Sequence, residues 1–183
     1  MNVRRLVPAD APAYRALMLA AYARHPDAFT SSPAERAALP LAWWEARVAE
    51  APDADERVVG AWADDTLAGV AGLSFETRAK ARHKATLFGM YVLPAFRHEG
   101  VGARLVDAVL AAARARDGVG LVQLTVSAGN RAAQALYARA GFVPFGVEPF
   151  AVAVDDGFVA KVHMWCDLGL GAAHPAHLQP PAA

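Results

Sequence analysis

The segment between residues 85 and 126 constrains the fold most, because it predicts a strand, a helix and a second strand in succession. Residues 85–92 and 121–126 are short apolar runs, as in buried strands. Between them, residues 100–116 place apolar side chains on one helical stripe: Val101, Leu105, Val106, Val109 and Leu110. A strand, helix and strand of this length form a right-handed crossover with parallel strands. We therefore expect a sheet with at least one parallel pair, covered by a helix.

The remaining patterns predict further elements around this crossover. Helical spacing of apolar residues begins after Pro8 and ends at His25, before a proline, and a short second helix carries an aromatic face. Further strands are expected at residues 57–62, 67–75, 142–147 and 158–166, and a further helix at residues 131–140. Gly89 lies inside a strand and indicates a bulge. We expect one domain over residues 1–168 and a disordered tail over residues 169–183.

Composition excludes several classes of function. The chain has 183 residues, of which 55% are hydrophobic, which favours a single domain with a proper core. Eighteen basic and eighteen acidic residues balance, so nucleic acid is not an expected partner. The single cysteine, Cys166, excludes an internal disulfide, and the six histidines show no metal-ligand spacing. No signal peptide or apolar run long enough to span a membrane is found, so we expect a cytoplasmic protein.

The loop before the predicted crossover helix has the features of an anion-binding site. Arg97, Gly100 and Gly102 lie between the end of the strand and the first turn of the helix. Unpaired backbone N–H groups and the helix dipole favour a phosphate at such a position, and glycine lets it approach the main chain. The spacing is neither that of a Walker loop nor GxGxxG, which argues against the common nucleotide and NAD folds. The alternative is a glycine-rich loop without a ligand.

A second set of motifs follows downstream. RxxGxG at Arg97 to Gly102 is followed by NxxA at Asn130 to Ala133, then by Leu136-Tyr137 and Gly141-Phe142. In this order and spacing, the motifs resemble those of the GNAT superfamily of N-acetyltransferases, across about residues 84 to 150. Other segments, such as Pro26-Asp27-Ala28-Phe29 and Glu148-Pro149, resemble a bacterial branch of that superfamily. The resemblance implies an α/β (α+β) fold with a mixed sheet of about six to seven strands and about four helices. It also implies that two parallel strands splay apart around acetyl-CoA.

The resemblance assigns the cofactor-binding residues by position. Main-chain groups of Met90, Tyr91 and Val92 are expected to pair with the pantetheine arm. The loop and first helical turn are expected to hold the pyrophosphate, mainly through backbone amides: Arg97, His98, Glu99, Gly100, Val101, Gly102 and Ala103. Asn130, Ala133 and Tyr137 complete the expected contacts. For Asn130, capping of the helix is a sufficient explanation by itself, and we expect both roles.

The expected chemistry is direct attack of a primary amine on the thioester of acetyl-CoA, without a metal. Tyr137 would protonate or hydrogen-bond the leaving sulfur, and its alternative role is that of a core aromatic side chain. Glu76 is the first candidate for the general base and His83 the second, although both are also typical of solvated loops. Acceptor specificity is expected to come from the first helix, the Phe29 to Trp44 segment and the loop between the last two strands. Phe29, Trp43 and Trp44 are expected to contact the acceptor, and at least one tryptophan is expected in the core.

The acceptor stays open between a small-molecule amine and a protein amine, and a homodimer is possible. Two other functions remain: a catalytically silent acyl-CoA-binding regulatory domain, and an acyltransferase that uses another acyl-CoA or forms an ester. Turnover of acetyl-CoA with an amine separates the first of these from the enzyme. A larger acyl cavity beside Gly89 and Met90 would favour the second.

Overall fold

The computed structural model describes residues 1–170, and its centre is a mixed sheet of seven strands in the order β1-β2-β3-β4-β5-β7-β6. The strands are β1 (Asn2–Arg5), β2 (Glu56–Ala63), β3 (Thr66–Phe75), β4 (Lys84–Val92), β5 (Leu121–Ser127), β6 (Val143–Val154) and β7 (Gly157–Asp167). Only β4 and β5 pair in parallel, and every other pair in the described sheet is antiparallel. The predicted parallel crossover and mixed sheet are therefore confirmed.

The helices follow from local sequence signals. They are α1 (Ala11–Arg24), α2 (Pro33–Ala37), α3 (Leu41–Arg47), α4 (Val101–Arg114) and α5 (Arg131–Arg139). Ser32 and Glu35 form a capping box that begins α2, a helix not predicted from the sequence, as β1 was not. Asn130 caps α5, because its Oδ1 accepts the amide N–H of Ala133 at 3.1 Å. Among the described helices, each is too short or too polar to cross a lipid bilayer.

The sheet separates two apolar clusters. Val70 on β3 belongs to the cluster packed against α1 and α3, whereas its neighbour Ala71 belongs to the cluster packed against α4. This alternation follows from the pleat, which turns successive side chains to opposite faces. The α4 stripe predicted from the sequence, including Leu105 and Val106, is fully buried in the second cluster.

Strand β4 contains the bulge that Gly89 predicted. Val70 pairs with Tyr91 and Gly72 pairs with Phe88, so Gly89 and Met90 both lie opposite Ala71 alone. Gly89 has a φ of +58°, a conformation that glycine adopts without steric penalty. A bulge leaves one residue outside the ladder and bends the strand. The bend lies in the half of β4 that separates from β5.

The C-terminal hairpin is longer than its sequence predicted. β6 continues beyond residue 147 to Val154, because a register shift between Glu148 and Val152 carries the strand past Pro149. Asp167 Oδ1 accepts the amide N–H groups of Gly169 and Leu170 at 2.9 and 2.7 Å. The first two residues of the expected tail are thus bonded to β7. The rest of that tail, residues 171–183, lies outside the described residues, so its disorder stays a prediction.

Candidate functional site

An opening between β4 and β5 dominates the candidate site. The two parallel strands pair only from Lys84 with Leu121 to Thr86 with Gln123, although both continue for several residues. The last pair is joined by a side-chain hydrogen bond from Gln123 Nε2 to Thr86 Oγ1 at 3.3 Å. Beyond it, residues 87–92 have no strand on this side in the described sheet. The structure therefore shows the splayed pair, and Met90, Tyr91 and Val92 lie along its open edge.

The loop that follows β4 leads to the uncapped start of α4. Among the described residues, no side chain bonds to the first-turn amides, and Arg104 is the first α4 residue whose amide N–H bonds back, to the carbonyl of Gly100 at 3.2 Å. His98 and Gly100 have φ values of +66° and +77°, which turn this part of the loop. The amides of residues 101–103 are thus donors without a helical partner, at the positive end of a 14-residue helix. This arrangement fits a pyrophosphate.

Arg97 fixes the loop to the end of β4 and to the end of α1. Its Nε donates to the carbonyl of Val92 at 3.1 Å, and its guanidinium contacts His25 Nε2 at 3.2 Å. The same guanidinium lies 5.7 Å from the ring centre of Tyr91. Arg97 therefore uses one acceptor site of the Val92 carbonyl, a group that the resemblance assigned to pantetheine, and its contacts support a role in positioning the loop.

The two glycines at the start of α4 differ in their surroundings. A Cβ on Gly100 would meet no described atom within 4 Å, which agrees with a backbone left open for an anion. A Cβ on Gly102 would lie 3.1 Å from Leu136 Cδ2 and 3.4 Å from Met90 Cε. Gly102 thus faces α5 and β4, whereas the sequence argument placed a phosphate against it. The close approach of α4 to these side chains is what requires glycine there.

Tyr137 lies on α5 and points towards β4. Its hydroxyl donates to Met90 Sδ at 3.5 Å, and its ring packs edge-on against Phe142 at 5.8 Å between centroids. Only 7% of the residue is exposed, and burial raises the pKa of the phenol to about 12. A phenol with this pKa is protonated at neutral pH and is a hydrogen-bond donor. Its partner in the structure, a thioether sulfur, is a weak acceptor.

A small cavity borders the bulge on the α1 and α3 side. Its volume is about 150 Å³, and nine residues line it: Tyr14, Tyr22, Phe29, Thr30, Ser31, Arg36, Arg47, Phe88 and Gly89. Thr30 is held by Lys161 Nζ at 2.9 Å, and the neighbouring carbonyl of Asp27 accepts from Ser127 Oγ at 2.8 Å. These bonds tie the loop after α1 to the middle of β7 and to the end of β5. The cavity therefore adjoins the open half of β4.

The three aromatic residues expected at the acceptor site have different positions. Phe29 lines the cavity and packs edge-on against Tyr22. Trp44 is 1% exposed and packs against Tyr14, so it belongs to the core. Trp43 lies beneath the guanidiniums of Arg36 and Arg47, at 4.8 and 4.6 Å from its ring centre. Only Phe29 lines the cavity directly, and Trp43 supports two of its other residues.

Burial perturbs the titratable groups around this cavity. It raises the pKa of Tyr14 to about 12 and raises the pKa of Tyr22, so both phenols are protonated at neutral pH. Arg47 forms an ion pair with Glu56 at 3.3 Å. Burial nevertheless raises the pKa of Glu56, because desolvation outweighs the attraction of the nearby arginines. The described lining itself contains no carboxylate and no histidine.

Glu76 and His83 lie at the other end of β4. The Glu76 amide bonds to the carbonyl of Lys84, and the His83 carbonyl accepts from Gly120 and Leu121, all at the start of the parallel pair. Lys84 is five residues from Gly89, or about 17 Å along a strand. An ion pair and hydrogen bonds with Arg78 lower the pKa of Glu76 to about 2. This geometry does not support Glu76 as a general base for the open end.

Other candidate features lie outside the opening. An open depression of about 580 Å³ is lined by residues of the β1 and β2 edge, including Arg4, Asp10 and Trp62, and β3 and β4 lie between this edge and β5. Cys166 is buried, and burial raises the pKa of its thiol, which disfavours the reactive thiolate. Within residues 1–170, no group of three or more potential metal-ligating side chains was found.

The first helix and the segment from Phe29 to Trp44, which the sequence analysis assigned to the acceptor, supply six of the nine lining residues, but Phe29 is the one lining residue named individually as an acceptor contact. Tyr14 and Tyr22 were expected only through the helix that carries them, and Arg36, Arg47 and Phe88 carried no motif. Arg36 and Arg47 precede Gly89 by 53 and 42 residues in the sequence, so no local pattern links them to the bulge. The one local signal was the aromatic face of α3, because Trp43 on this face contacts both arginines.

Comparisons with known proteins agree with this geometry. The chain matches the family model described as Acetyltransferase (GNAT) family over residues 15–142. An acetyltransferase of the GNAT family from Streptococcus pneumoniae superposes with a TM-score of 0.82 at 22% identity, covering 92% of this chain and 99% of that one. A comparison with curated proteins found no match.

Two further solved structures contain acetyl-CoA. A putative acetyltransferase from Salmonella typhimurium, solved with its cofactor acetyl-CoA, has a TM-score of 0.77 at 23% identity and covers 96% of this chain and 98% of that one. A phosphinothricin acetyltransferase from Sinorhizobium meliloti, in complex with the same molecule, has a TM-score of 0.80 at 19% identity, covering 95% and 91%. The structures share the fold, and the family model covers more than half of the sequence. The chain therefore belongs to the GNAT family of acetyltransferases.

Proposed function

We propose that this protein is an acetyl-CoA-dependent N-acetyltransferase that transfers an acetyl group to a primary amine by direct attack. The observation that carries the proposal is the combination of the open edge of β4, the uncapped start of α4 and the Tyr137 hydroxyl at one opening. Bound acetyl-CoA supplies the thioester that the amine attacks, and the CoA thiol leaves. The cavity beside Gly89 supplies a place for the amine.

The chain's own groups would hold the cofactor mainly through the backbone. The amides of residues 101–103 would bind the pyrophosphate, because they lack partners and lie at the positive end of α4. The free edge of β4 at Met90 and Tyr91 would pair with the amide groups of the pantetheine arm, as an added strand does. Asn130 and Ala133, at the start of α5, would border the same molecule across the opening.

Tyr137 would donate to the sulfur as it leaves. The phenol is protonated at neutral pH, is directed across the opening and is held only by a weak sulfur acceptor, so exchange for a developing thiolate is favourable. Direct attack needs no covalent intermediate on the protein, which fits the burial of Cys166.

Removal of the amine's proton needs no carboxylate at the cavity. Two guanidiniums line it, and nearby positive charges lower the pKa of a bound amine. We infer that the proton passes to water rather than to Glu76, which lies at the far end of β4.

Release of CoA thiol tests the proposal. The purified protein is incubated with acetyl-CoA and a panel of primary amines, and free thiol is measured over time. Amine-dependent release supports the proposal. Binding of acetyl-CoA without release of CoA thiol in the presence of any amine would instead identify a silent acyl-CoA-binding domain. Faster release of CoA thiol from a longer acyl-CoA would identify a different donor.

Three finer expectations stay predictions. Cytoplasmic location is measured by fractionation of cells that express the protein. Homodimer formation is measured by light scattering after size-exclusion chromatography. The choice between a small molecule and a protein as acceptor is measured by the same thiol assay with peptide amines in the panel.

A further inference from the structure

Two guanidiniums converge at the cavity beside the bulge. Arg47 lies between two rings, at 4.6 Å from the centre of Trp43 and 4.6 Å from that of Phe88. Arg36 lies 4.8 Å from the centre of the same Trp43 ring and 5.9 Å from that of Tyr22. Stacking on a shared indole restricts where both guanidiniums can lie. The arginines are thus held at the cavity by aromatic contacts.

Their charge is only partly compensated. Arg47 pairs with Glu56 at 3.3 Å. Arg36 forms no ion pair with any residue in the described part of the chain, and its Nε is buried without a hydrogen-bond partner. No acidic side chain is among the described residues that line the cavity. A buried donor without a partner is costly, so an anion brought by a ligand would be favoured here.

The dimensions of the cavity restrict the ligand. Its volume of about 150 Å³ is smaller than most small-molecule sites, which measure about 300–1,000 Å³. An acceptor the size of an amino acid fits this limit better than a large acceptor does. Gly89 forms one wall, at the bulge of the strand whose open edge is assigned to acetyl-CoA.

We propose that the acceptor is a small primary amine that carries a carboxylate, with Arg36 and Arg47 binding the carboxylate and the amine directed to Gly89. This inference rests on the proposed function and adds the class of acceptor to it. A guanidinium presents a planar fork that matches a carboxylate in two hydrogen bonds.

The test compares each amine of a panel as its free carboxylate and as its carboxamide, in the thiol-release assay. We expect kcat/KM to be at least about tenfold higher for the carboxylates, since a hydrogen bond to a charged group typically changes affinity by about tenfold or more. Arg36→Met keeps the apolar stem and removes the charge, and should bring this ratio close to one. Arg36→Lys keeps the charge without the fork and should retain part of it.

Arg139→Met is the matched control, because Arg139 is an exposed arginine at the end of α5. It should leave the ratio unchanged, and all three variants should keep the parent's affinity for acetyl-CoA. Equal rates for carboxylates and carboxamides in the parent would overturn the inference. So would a ratio that survives Arg36→Met in a variant with the parent's melting temperature.

Calorimetry separates this inference from the proposed function. It measures binding of the N-acetylated carboxylates and of their carboxamides, which needs no turnover. Carboxylate-selective binding that depends on Arg36, without release of CoA thiol in the presence of any amine, would contradict the proposed function and support the carboxylate site. Release of CoA thiol only with amines that lack a carboxylate, without carboxylate-selective binding, would support the proposed enzymatic function and contradict the carboxylate site.

Discussion

The hydroxyl of Tyr137 donates to the sulfur of Met90 across 3.5 Å, and this contact joins α5 to the bulged half of β4. The two residues come from opposite sides of the opening, because α5 follows β5 and Met90 lies on β4. The phenol is nearly excluded from solvent, with 7% of the residue exposed. A donor that stays protonated therefore lies where the strands have separated.

Tyr137→Phe tests the role of that hydroxyl. If it assists departure of the sulfur, kcat should fall by about 10²- to 10⁴-fold, the usual contribution of general acid catalysis, with a much smaller change in KM for acetyl-CoA. The ring and its contact with Phe142 are kept, so the melting temperature should change little. Met90→Leu is the comparison, because it removes the sulfur acceptor but leaves the phenol, and it should retain most activity.

The pH dependence checks the same assignment. Since burial raises the pKa of Tyr137 to about 12, the phenol keeps its proton throughout pH 7 to about 10.5. Over that range, the pH profiles of the rate should have the same shape in the parent and in Tyr137→Phe. A decline in the parent near pH 9 that disappears in Tyr137→Phe would contradict the raised pKa.

Acetyl-CoA should stabilise the protein. A ligand that binds only the folded state adds about 2.7 kcal/mol at a hundredfold excess over its Kd. For a domain of this size, that is a rise in melting temperature of about 5 to 11 °C. NAD and ATP carry phosphates but no pantetheine arm, so their shifts should be much smaller. Equal shifts from all three, or no shift from any, would contradict the assignment of the opening to acetyl-CoA.

Gly102→Val should damage packing between α4, α5 and β4. The new Cβ would lie 3.1 Å from Leu136 Cδ2, and the two methyl groups would need further space. Overpacking of this kind costs about 1–3 kcal/mol, measured by chemical denaturation. Because Leu136 precedes Tyr137, kcat should fall as well. Gly146→Ala is the control, because a Cβ on Gly146 would meet no described atom within 4 Å and Gly146 does not have a positive φ. A fully stable, fully active Gly102→Val protein would show that α4 can move.

Glu76→Gln should leave the rate unchanged. The carboxylate is paired with Arg78, its pKa is about 2, and it lies beside Lys84 at the start of β4. Neither its basicity nor its position suits proton removal at the bulge. Kinetic measurement of kcat over pH 6 to 9 checks this expectation. A large loss of kcat together with a lost acid limb would restore Glu76 as the base.

Asp10→Asn should destabilise the fold in a pH-dependent way. Asp10 accepts two hydrogen bonds from Arg4, at 2.6 and 2.9 Å, and the amide N–H of Val7 at 2.9 Å, and these bonds lower its pKa. A group with a lowered folded pKa stabilises the protein above its unfolded pKa of about 3.9 and loses that contribution as the pH falls further. We expect a loss of about 1–2 kcal/mol at pH 7, since Arg4 is largely exposed.

Denaturation at several pH values measures this difference. The gap between parent and variant should narrow below about pH 4. A gap that stays constant down to pH 2 would mean that the asparagine is destabilising for reasons other than charge.

Local signals in the sequence determined most of the secondary structure. The stripe on α4, the Asn130 cap of α5 and the glycine in β4 each act within a few residues, so spacing and residue type were enough to predict them. β1 and α2 were missed, because a four-residue edge strand and a five-residue helix offer too few positions to establish a period. The extension of β6 was missed because its bulge interrupts the alternation.

Tertiary structure alone decided the surroundings of the site. The sequence by itself predicted the parallel crossover and the loop with Gly100 and Gly102, because both depend on neighbours in the chain. It could not show that Gly102 faces Leu136, that Arg47 lies against Phe88, or that two arginines reach the cavity at Gly89. Those relationships join segments that are distant in sequence, and they are set by how the helices pack on a bent sheet rather than by any local period.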